Sequence, residues 1–271
     1  MKRVLILGAH SYIGTALEKR LLALPDAFSV KTLSLHTPIE SLDFRGADAA
    51  VQVAAIVHRK ETKETLPLYR AINCDLAVAA AKKAKAEGVG QFILMSSENV
   101  YGMNEGVITK DTALHPVTAY GRSKLEAERA IAALCDDAFT VTILRSPMVI
   151  GKGVKGNYRR LEALAERLPF SPDFENRRSL VRIETLCDAI ERQLETPRAG
   201  IFFPQEPQPV ATRDLIEQIA RERGRTLRRT KLFNPAIRVL IATTTTGKKA
   251  FGNLEYRDLA ALPLSVLEER V

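Results

Sequence analysis

The chain has 271 residues, of which 46% are hydrophobic, enough for one large domain or for a main domain with a small addition. It has no run of about 18 apolar residues and no apolar stretch of secretory-signal length, so we expect neither a transmembrane segment nor a leader. The net charge of +8 arises within 221–249, and such an uneven distribution, without a recognition motif, argues against a nucleic-acid binder.

Short apolar runs alternate with segments of helical spacing in the first half of the chain. Strands are predicted at 3–8, 28–35, 48–55, 91–97 and 140–146, and helices at 13–24, 68–88 and 119–135. Strands that alternate with helices form a parallel sheet with right-handed crossovers. The pattern therefore predicts the α/β class, with a Rossmann-type doubly wound parallel sheet.

The alternation ends after Pro147. Residues 151–178 are rich in Gly, Arg and Pro, 179–183 is a candidate strand, and 211–224 is typical of a capped helix. We expect these segments to form a small C-terminal substrate lobe over the carboxyl edge of the sheet, where α/β folds bind ligands. The predicted division is a Rossmann-type domain at 1–150 and a lobe at 151–271, with about 179–204 returning to the main domain.

A glycine-containing turn follows the first predicted strand, in the stretch "LILGAHSYIG". Gly8 permits a tight turn, and Gly14 lets the helix lie close to the strand. Ser11 stands where the pattern G-x-x-G-x-x-G has its middle glycine, and its hydroxyl can donate a hydrogen bond. The helix N-terminus, which includes Tyr12 and Ile13, offers unpaired N–H groups to a pyrophosphate. The turn therefore predicts a dinucleotide site.

The second strand ends in "KTLSLHTP", which has no acid to hold a ribose 2′-hydroxyl. Ser34 or His36 occupies that position, and neither repels a 2′-phosphate. The choice between NAD and NADP stays open.

Two further stretches, "SSENVYG" at 96–102 and "YGRSK" at 120–124, carry a hydroxyl, a tyrosine and a lysine. Tyr120 and Lys124 are four residues apart at a helix start and share one face. An ammonium close to a phenol lowers the tyrosine pKa, which would let Tyr120 take a proton from a sugar or alcohol hydroxyl. Ser97 closes the fourth strand and can pass or hold that proton. Ordinary turn and helix residues are the alternative, but the order of these elements favours one proton-transfer site.

These motifs resemble those of the extended short-chain dehydrogenase/reductases, in the NAD-dependent epimerase/dehydratase family that acts on nucleotide sugars. The resemblance runs nearly end to end and includes "GAHSYIG", "AAIVH", "TAYGRSKLEAE", "ILRSPMVIGKGVKGNY" and "NRRSLVRIETLCDAI". The stretch "FGNLEY" also resembles bacterial members encoded at polysaccharide loci. The resemblance implies that Ser97, Tyr120 and Lys124 are the catalytic hydroxyl, base and lysine, and that the protein is a homodimer.

The same resemblance implies binding roles for other positions. Cofactor contacts are implied at Ala54, Ala55, Asn73, Tyr120, Lys124 and Pro147, besides the glycine turn and Ser34. Substrate contacts are implied at Glu98, Asn99, Met148, Asn157, Arg178 and Ser179. Asn157 and the pair Arg178–Ser179 lie where relatives hold the diphosphate of the sugar nucleotide, and an arginine fork suits phosphate oxygens. A simple loop turn is the other interpretation of Asn157.

Several positions depart from the pattern of the family. Ser11 replaces a glycine, Ser34 replaces an acid, and Met148 stands where galactose epimerases carry asparagine. Sugar 4,6-dehydratases carry an Asp-Glu pair after the catalytic hydroxyl, whereas Glu98–Asn99 contains one acid, which argues against dehydration. We predict an NAD(P)-dependent nucleotide-sugar epimerase that acts at C4 through a transient 4-keto sugar. The alternatives are an NADPH-dependent 4-keto nucleotide-sugar reductase and a non-catalytic dinucleotide-binding sensor.

The basic stretch 221–249 holds nine Lys or Arg and one acid, Glu222, so it alone accounts for the net charge. A solvated, packed C-terminal helix and loop is one interpretation. The other is attraction to a diphosphate, an acidic partner or an anionic membrane surface, because "NPAIRVLIA" places apolar residues among arginines.

We expect no bound metal and a reducing, cytoplasmic environment. The histidines lack a second ligand at useful spacing, and the cysteines are odd in number and far apart. They are His10, His36, His58 and His115, and Cys74, Cys135 and Cys187.

Overall fold

The computed structural model describes residues 1–57, 59–154 and 157–269. The strands are β1 (Lys2–Leu7), β2 (Phe28–Leu33), β3 (Ala49–Gln52), β4 (Gln91–Ser97), β5 (Gly106–Ile108), β6 (Thr140–Ser146), β7 (Met148–Ile150), β8 (Phe170–Pro172), β9 (Leu180–Arg182), β10 (Gly200–Phe202), β11 (Arg228–Thr230) and β12 (Leu254–Tyr256). The α-helices are α1 (Tyr12–Leu22), α2 (Leu66–Arg70), α3 (Leu76–Ala86), α4 (Ala119–Ala132), α5 (Asn157–Arg167), α6 (Ile183–Glu195), α7 (Thr212–Glu222), α8 (Asn234–Thr243), α9 (Thr245–Phe251) and α10 (Val266–Glu269).

Six strands form one parallel sheet in the order β10-β6-β4-β3-β1-β2. The chain places β2 on one side of β1 and β3 on the other, so the order reverses at β1. At such a switch point the carboxyl ends of the strands border a crevice that binds ligands. The sheet confirms the α/β, doubly wound class that the sequence predicted.

Both faces of this sheet are buried, which explains why its strands are nearly continuous apolar runs. Alternate residues of β1 face opposite ways: Val4 packs with α1 and α6, and Leu5 packs with α3 and α4. Leu17 and Leu21 of α1 are fully buried, and each contributes about 1.5–3 kcal/mol to stability. The layers thereby fix the carboxyl edge of the sheet, on which the site is built.

A smaller apolar cluster joins α5, α7 and the β7–β9 pair. The predicted capped helix is α7, although its cap is not made by its own flanking side chain. The amide oxygen of Asn176 accepts from Thr212 N at 2.8 Å, so a distant segment caps the helix.

The C-terminal part of the chain returns to the main domain. Strand β12 pairs with β5, and Val266 and Leu267 lie in the main core. In the part of the chain that the structure describes, no helix is long and apolar enough to cross a membrane.

Candidate active site

The glycine turn brings the ends of β1, β2 and β3 together. Gly8 has a φ of +136°, and a Cβ there would lie 2.8 Å from Ala54 N. The Gly8 N–H donates to Leu33 O at 2.9 Å, and the Ala54 N–H donates to Leu7 O at 3.0 Å. A Cβ on Gly14 would lie 2.7 Å from Gly8 O. Both glycines are therefore required for the close approach of helix, turn and strand.

Helix α1 begins immediately after this turn. Ser11 is its N-cap, and its Oγ accepts from Gly14 N at 3.0 Å, so the hydroxyl hydrogen stays available as a donor. The first turn carries no acid, so nothing there repels an anion. The Tyr12 hydroxyl lies against Gly151, where burial raises the pKa of the tyrosine to about 12, and Ile13 packs against the core. Tyr12 and Ile13 thus offer backbone N–H groups, and the turn fits a dinucleotide diphosphate.

The adjoining loops place the remaining predicted cofactor residues at the same edge. Ser34 directly follows β2, and its Oγ accepts from His36 N at 3.3 Å. Ala54 and Ala55 follow β3, and Pro147 is buried just after β6. Since no acid stands at the position of Ser34, the geometry is compatible with either NAD or NADP.

Asn73 lies in a π-helical turn (Ala71–Asp75) and is fully buried. Its Oδ1 accepts from Ile56 N at 2.8 Å, and its Nδ2 donates to Ile56 O at 3.1 Å and to Ser123 Oγ at 3.2 Å. Asn73 therefore fastens the loop after β3 to α4. In the structure, Asn73 thus positions this loop. Its direct contact with the cofactor stays a prediction.

Ser97 and Tyr120 come together although 22 residues separate them. A turn of 3-10 helix (Glu98–Tyr101) follows β4 and packs so tightly on α4 that a Cβ on Gly121 would lie 2.4 Å from Asn99 O. The Ser97 Oγ accepts from Asn99 Nδ2 at 2.9 Å, and a side-chain hydrogen bond joins Ser97 to Tyr120. The predicted hydroxyl and base therefore share one site at the carboxyl edge of β4.

Burial has the largest effect on the pKa values of Tyr120 and Lys124. It raises the pKa of Tyr120 to about 12; Tyr69 and Glu98 also raise it, whereas the hydrogen bond to Ser97 lowers it. Lys124 is buried, and its Nζ donates to Met95 O at 2.8 Å. Burial lowers the pKa of Lys124 to about 8. The prediction that Lys124 brings the Tyr120 pKa down is therefore wrong for the protein alone, because desolvation of the phenol outweighs other influences.

A buried ion pair lies behind the lysine. Glu128, one helical turn after Lys124, forms hydrogen bonds of 2.7 to 3.2 Å with Arg145, and both side chains are fully buried. Arg145 also donates to the Tyr101 hydroxyl at 2.9 Å, and Ser96 donates to Glu128. Burial alone would lower the pKa of Arg145, but the Glu128 carboxylate holds it above its ordinary value. The network fixes α4 against β4 and β6 beneath the site.

The predicted substrate residues divide into two groups. Arg178 is buried, donates to Gly252 O at 2.9 Å, and interacts electrostatically with Glu98. Burial raises the pKa of Glu98 to about 7, opposed by Arg178 and Lys249. Met148 opens β7 and, like Arg178, lines a cavity in the lobe.

The residues of the second group either form hydrogen bonds within the protein or have side chains that are not described. The Ser179 hydroxyl donates to Gln205 Oε1 at 2.7 Å and accepts from Tyr256 N at 2.9 Å, so it fastens β12 rather than facing a ligand. Asn99 holds Ser97, as above. The side chain of Asn157 lies outside the described residues. Contacts of these three with substrate stay predictions.

Sequence reasoning missed two neighbours of this site. Tyr69 packs edge-on to Tyr120, with ring centroids 6.5 Å apart, and Lys249 faces Glu98. Lys249 belongs to the basic stretch, but only the fold reveals which of those charges turns inward. Tyr69 has no motif of its own, so no signal in the sequence could have identified it. Among the described residues, no group of His, Cys, Asp and Glu side chains could hold a metal ion.

Comparison with known proteins identifies relatives that match most of this chain. Residues 4–202 match the NAD dependent epimerase/dehydratase family. A UDP-glucose 4-epimerase of Vibrio cholerae is 32% identical over 250 residues, which cover 81% of this chain and 75% of that protein. An N-acetyl-alpha-D-glucosaminyl-diphospho-ditrans,octacis-undecaprenol 4-epimerase of Escherichia coli O157:H7 is 27% identical and covers 73% and 64%. The crystal structure of a UDP-glucuronic acid 4-epimerase from Bacillus cereus with NAD superimposes with a TM-score of 0.72 at 17% identity, covering 99% and 91%.

Proposed function

The chain belongs to the NAD-dependent epimerase/dehydratase family, and we propose that it is an NAD(P)-dependent epimerase that inverts C4 of a diphosphate-linked sugar through a transient 4-keto sugar. The observation that carries this proposal is the hydrogen-bonded pair Ser97–Tyr120 above buried Lys124, at the edge that holds the glycine turn. The sequence predicts a nucleotide as the carrier, as in the V. cholerae and B. cereus proteins. The E. coli relative is named for a lipid carrier, undecaprenyl diphosphate.

In the proposed mechanism Tyr120 reacts as a phenolate, a form that the positive charges of Lys124 and of an oxidised nicotinamide would stabilise. The phenolate takes the proton of the 4-hydroxyl and later returns it, with Ser97 holding the phenolic oxygen in place. A bound NAD or NADP, held by the glycine turn and by Lys124, would supply a hydride acceptor and donor for C4 of the sugar. Lys124 adds positive charge beneath the tyrosine and binds the cofactor ribose. Burial keeps water from the site, which protects the 4-keto sugar from side reactions.

Arg178 and Glu98 orient the substrate in this proposal. The Arg178 guanidinium suits a phosphate of the carrier, and Glu98 interacts electrostatically with both that arginine and Tyr120. Glu98 is the one acid after the catalytic hydroxyl. Loss of water from the sugar would need a second acid, which is why epimerisation is favoured over dehydration.

Replacement of Tyr120 by Phe tests the proposal. Because the variant keeps the ring and loses the proton-transfer oxygen, we expect kcat for UDP-glucose or UDP-N-acetylglucosamine to fall by at least about 100-fold while NAD binding persists. Tyr158→Phe on α5 is the matched control and should retain activity. Equal activity of the Tyr120→Phe variant would refute catalysis and favour the dinucleotide-binding sensor.

Cofactor content separates the epimerase from the reductase alternative. The purified protein is denatured, and any released dinucleotide is identified and quantified by mass spectrometry. Near-stoichiometric NAD or NADP supports the epimerase, since that reaction regenerates its cofactor within each cycle. A protein that is purified empty and binds NADPH reversibly supports reduction of a 4-keto sugar.

The proposal also includes a cytoplasmic homodimer that touches anionic membranes through 221–249. The free cysteines suit a reducing compartment. Val78 and Ala130 line a shallow groove between α3 and α4, the pair of helices proposed to form the dimer contact. Sedimentation equilibrium tests the dimer: a molecular mass of about twice the monomer's 30.0 kDa supports it, and the monomer mass refutes it.

Co-sedimentation with anionic vesicles tests the membrane contact. Arg228, Lys231 and Arg238 are exposed, whereas Arg229 pairs with Glu217 and Asp214. Binding should therefore fall on neutralising the three exposed residues, and it should persist in Arg229→Gln.

A further inference from the structure

A deep apolar cavity occupies the lobe beside the candidate active site. Its volume is about 520 Å³, within the roughly 300–1,000 Å³ of small-molecule sites. The walls come from β7, α5, β8, β9, α7, α8 and α9, and fifteen of the twenty described lining residues are apolar. Its depth and composition indicate an apolar ligand.

The inner end of the cavity is the part lined by Met148 and Arg178, and both residues connect it to the proton-transfer site. Met148 lines it, two residues after Ser146, and Ser146 pairs with Ser97 across β6 and β4. Arg178 lines it as well and interacts with Glu98. A ligand in the cavity can therefore reach from the apolar walls to Tyr120.

Arg178 marks the place of an anion at this inner end. It is 94% buried, since its exposed fraction is 6%, and its Nε has no hydrogen-bond partner among the described residues. A buried donor without an acceptor is destabilising, so a ligand oxygen at this position would be favoured. Lys249 and Arg167 also line the cavity, and no acid does so among the described residues. The charge complements a diphosphate.

The same walls are poorly suited to a nucleoside. A base and a ribose carry many donors and acceptors, which need polar partners when they are buried. Among the described lining residues, the neutral polar side chains are Thr212 and Thr246. The Thr212 hydroxyl already donates to Ala250 O at 2.6 Å and lies 3.0 Å from Asn176 Nδ2. A nucleoside here would leave polar groups unpaired, whereas a hydrocarbon chain would not.

We propose that this cavity binds the first isoprene units of a polyprenyl-diphosphate-linked sugar, with the diphosphate at Arg178 and the sugar at Tyr120. The inference rests on the proposed epimerase function and names its preferred carrier as a lipid instead of a nucleotide.

The mouth of the cavity fits a ligand that continues outside it. Phe233 and Leu240 line the mouth and are 37% and 39% exposed. Leu232 and Val239 extend this apolar surface, with exposed fractions of 79% and 63%. A long isoprenoid that leaves the cavity would therefore meet further apolar side chains rather than water alone.

Calorimetric titration of the full-length, NAD-loaded protein tests the proposal, with farnesyl diphosphate as a soluble probe and no membrane present. We expect farnesyl diphosphate to bind at least tenfold more tightly than either UDP or inorganic pyrophosphate. Phe233→Asp and Leu240→Asp should each weaken farnesyl diphosphate at least tenfold. Ala242→Asp, at an exposed position on the same helix that does not line the cavity, is the matched control and should change its affinity by less than threefold.

Three results would overturn the proposal: tighter binding of UDP, equal binding of pyrophosphate and farnesyl diphosphate, or mouth variants that bind like the control. Far-ultraviolet circular dichroism of each variant verifies folding, and both mouth residues are exposed enough for an aspartate to remain hydrated.

A turnover assay separates this inference from the epimerase itself, using N-acetylglucosamine linked to farnesyl diphosphate or to UDP. We expect the higher kcat/KM with the lipid carrier. If the protein epimerises the UDP-sugar but does not bind farnesyl diphosphate, the lipid carrier is refuted and the epimerase function is supported. If the protein binds farnesyl diphosphate selectively but epimerises neither sugar, the epimerase function is refuted and the assignment of the cavity to a polyprenyl diphosphate is supported.

Discussion

The edge of the sheet and the cavity of the lobe are built in opposite ways. At the sheet edge, close backbone contacts and buried charges hold the residues in place. The Gly8 turn is an example of the first, and the Glu128–Arg145 pair is an example of the second. The cavity collects apolar side chains from seven elements between Met148 and Phe251. The first arrangement fixes atoms for chemistry, and the second selects a ligand by its apolar surface.

Glu128→Ala should give the largest loss of stability. Removing the carboxylate leaves the Arg145 guanidinium buried without its charge partner, and breaking such a pair costs about 3–5 kcal/mol. Urea denaturation measures the free energy of unfolding. Glu126→Ala, at an exposed position two residues earlier, should change it by no more than about 0.5 kcal/mol. Equal losses in the two variants would contradict the role of the buried pair.

Gly121→Ala should be the next largest effect. Its Cβ would lie 2.4 Å from the Asn99 carbonyl oxygen, so the 3-10 turn that carries Ser97 must move away from Tyr120. We expect a loss of about 1–3 kcal/mol together with a fall in kcat of at least about tenfold. Gly90→Ala is the control, since the nearest atom to its Cβ would lie 3.8 Å away. A normal kcat in Gly121→Ala would show that the two segments need not be in such close contact.

Glu98→Gln should have the smallest effect, at the junction of the two regions. Burial raises the pKa of Glu98 to about 7, above the ordinary 4.5, so the folded state holds a proton that the unfolded state releases. The stability of the wild type should therefore fall by about 1–3 kcal/mol as the pH rises from about 4.5 to 7. The Gln variant should lack this component in urea titrations at several pH values. Exposed Glu222→Gln should keep it, and identical curves for Glu98→Gln and wild type would contradict the burial of the carboxyl group.

The sheet edge was predictable because its signals are local. The strands at 91–97 and 140–146 have the predicted bounds, and Gly8, Ser97 and Tyr120 lie at the junctions where the sequence placed them. A turn that needs a positive φ, or a helix that needs a cap, selects its residues within a few positions. The pKa of Tyr120 was not predictable, since it depends on burial and on the electrostatic effects of Tyr69 and Glu98, which come from other segments.

The cavity could not be foreseen for the same reason. Its apolar residues have the helical spacing of any packed helix, and the basic stretch around α8 did not reveal that Lys249 turns inward. Only the tertiary arrangement distinguishes a helix that closes the core from one that borders an open space. Arg178 was named from a motif, but its unpaired Nε is a property of the fold.

The anchoring of Arg178 has a consequence for synthesis of the protein. The guanidinium is held by the carbonyl group of Gly252, 74 residues further along the chain. The glycine turn, by contrast, is complete once β3 and Ala54 have formed. During translation, where N-terminal parts fold first, the dinucleotide half can therefore mature long before the anion site exists. A ribosome-stalled or prematurely terminated chain that ends ahead of residue 248 would retain its nucleotide-binding turn while lacking the acceptors that hold Arg178.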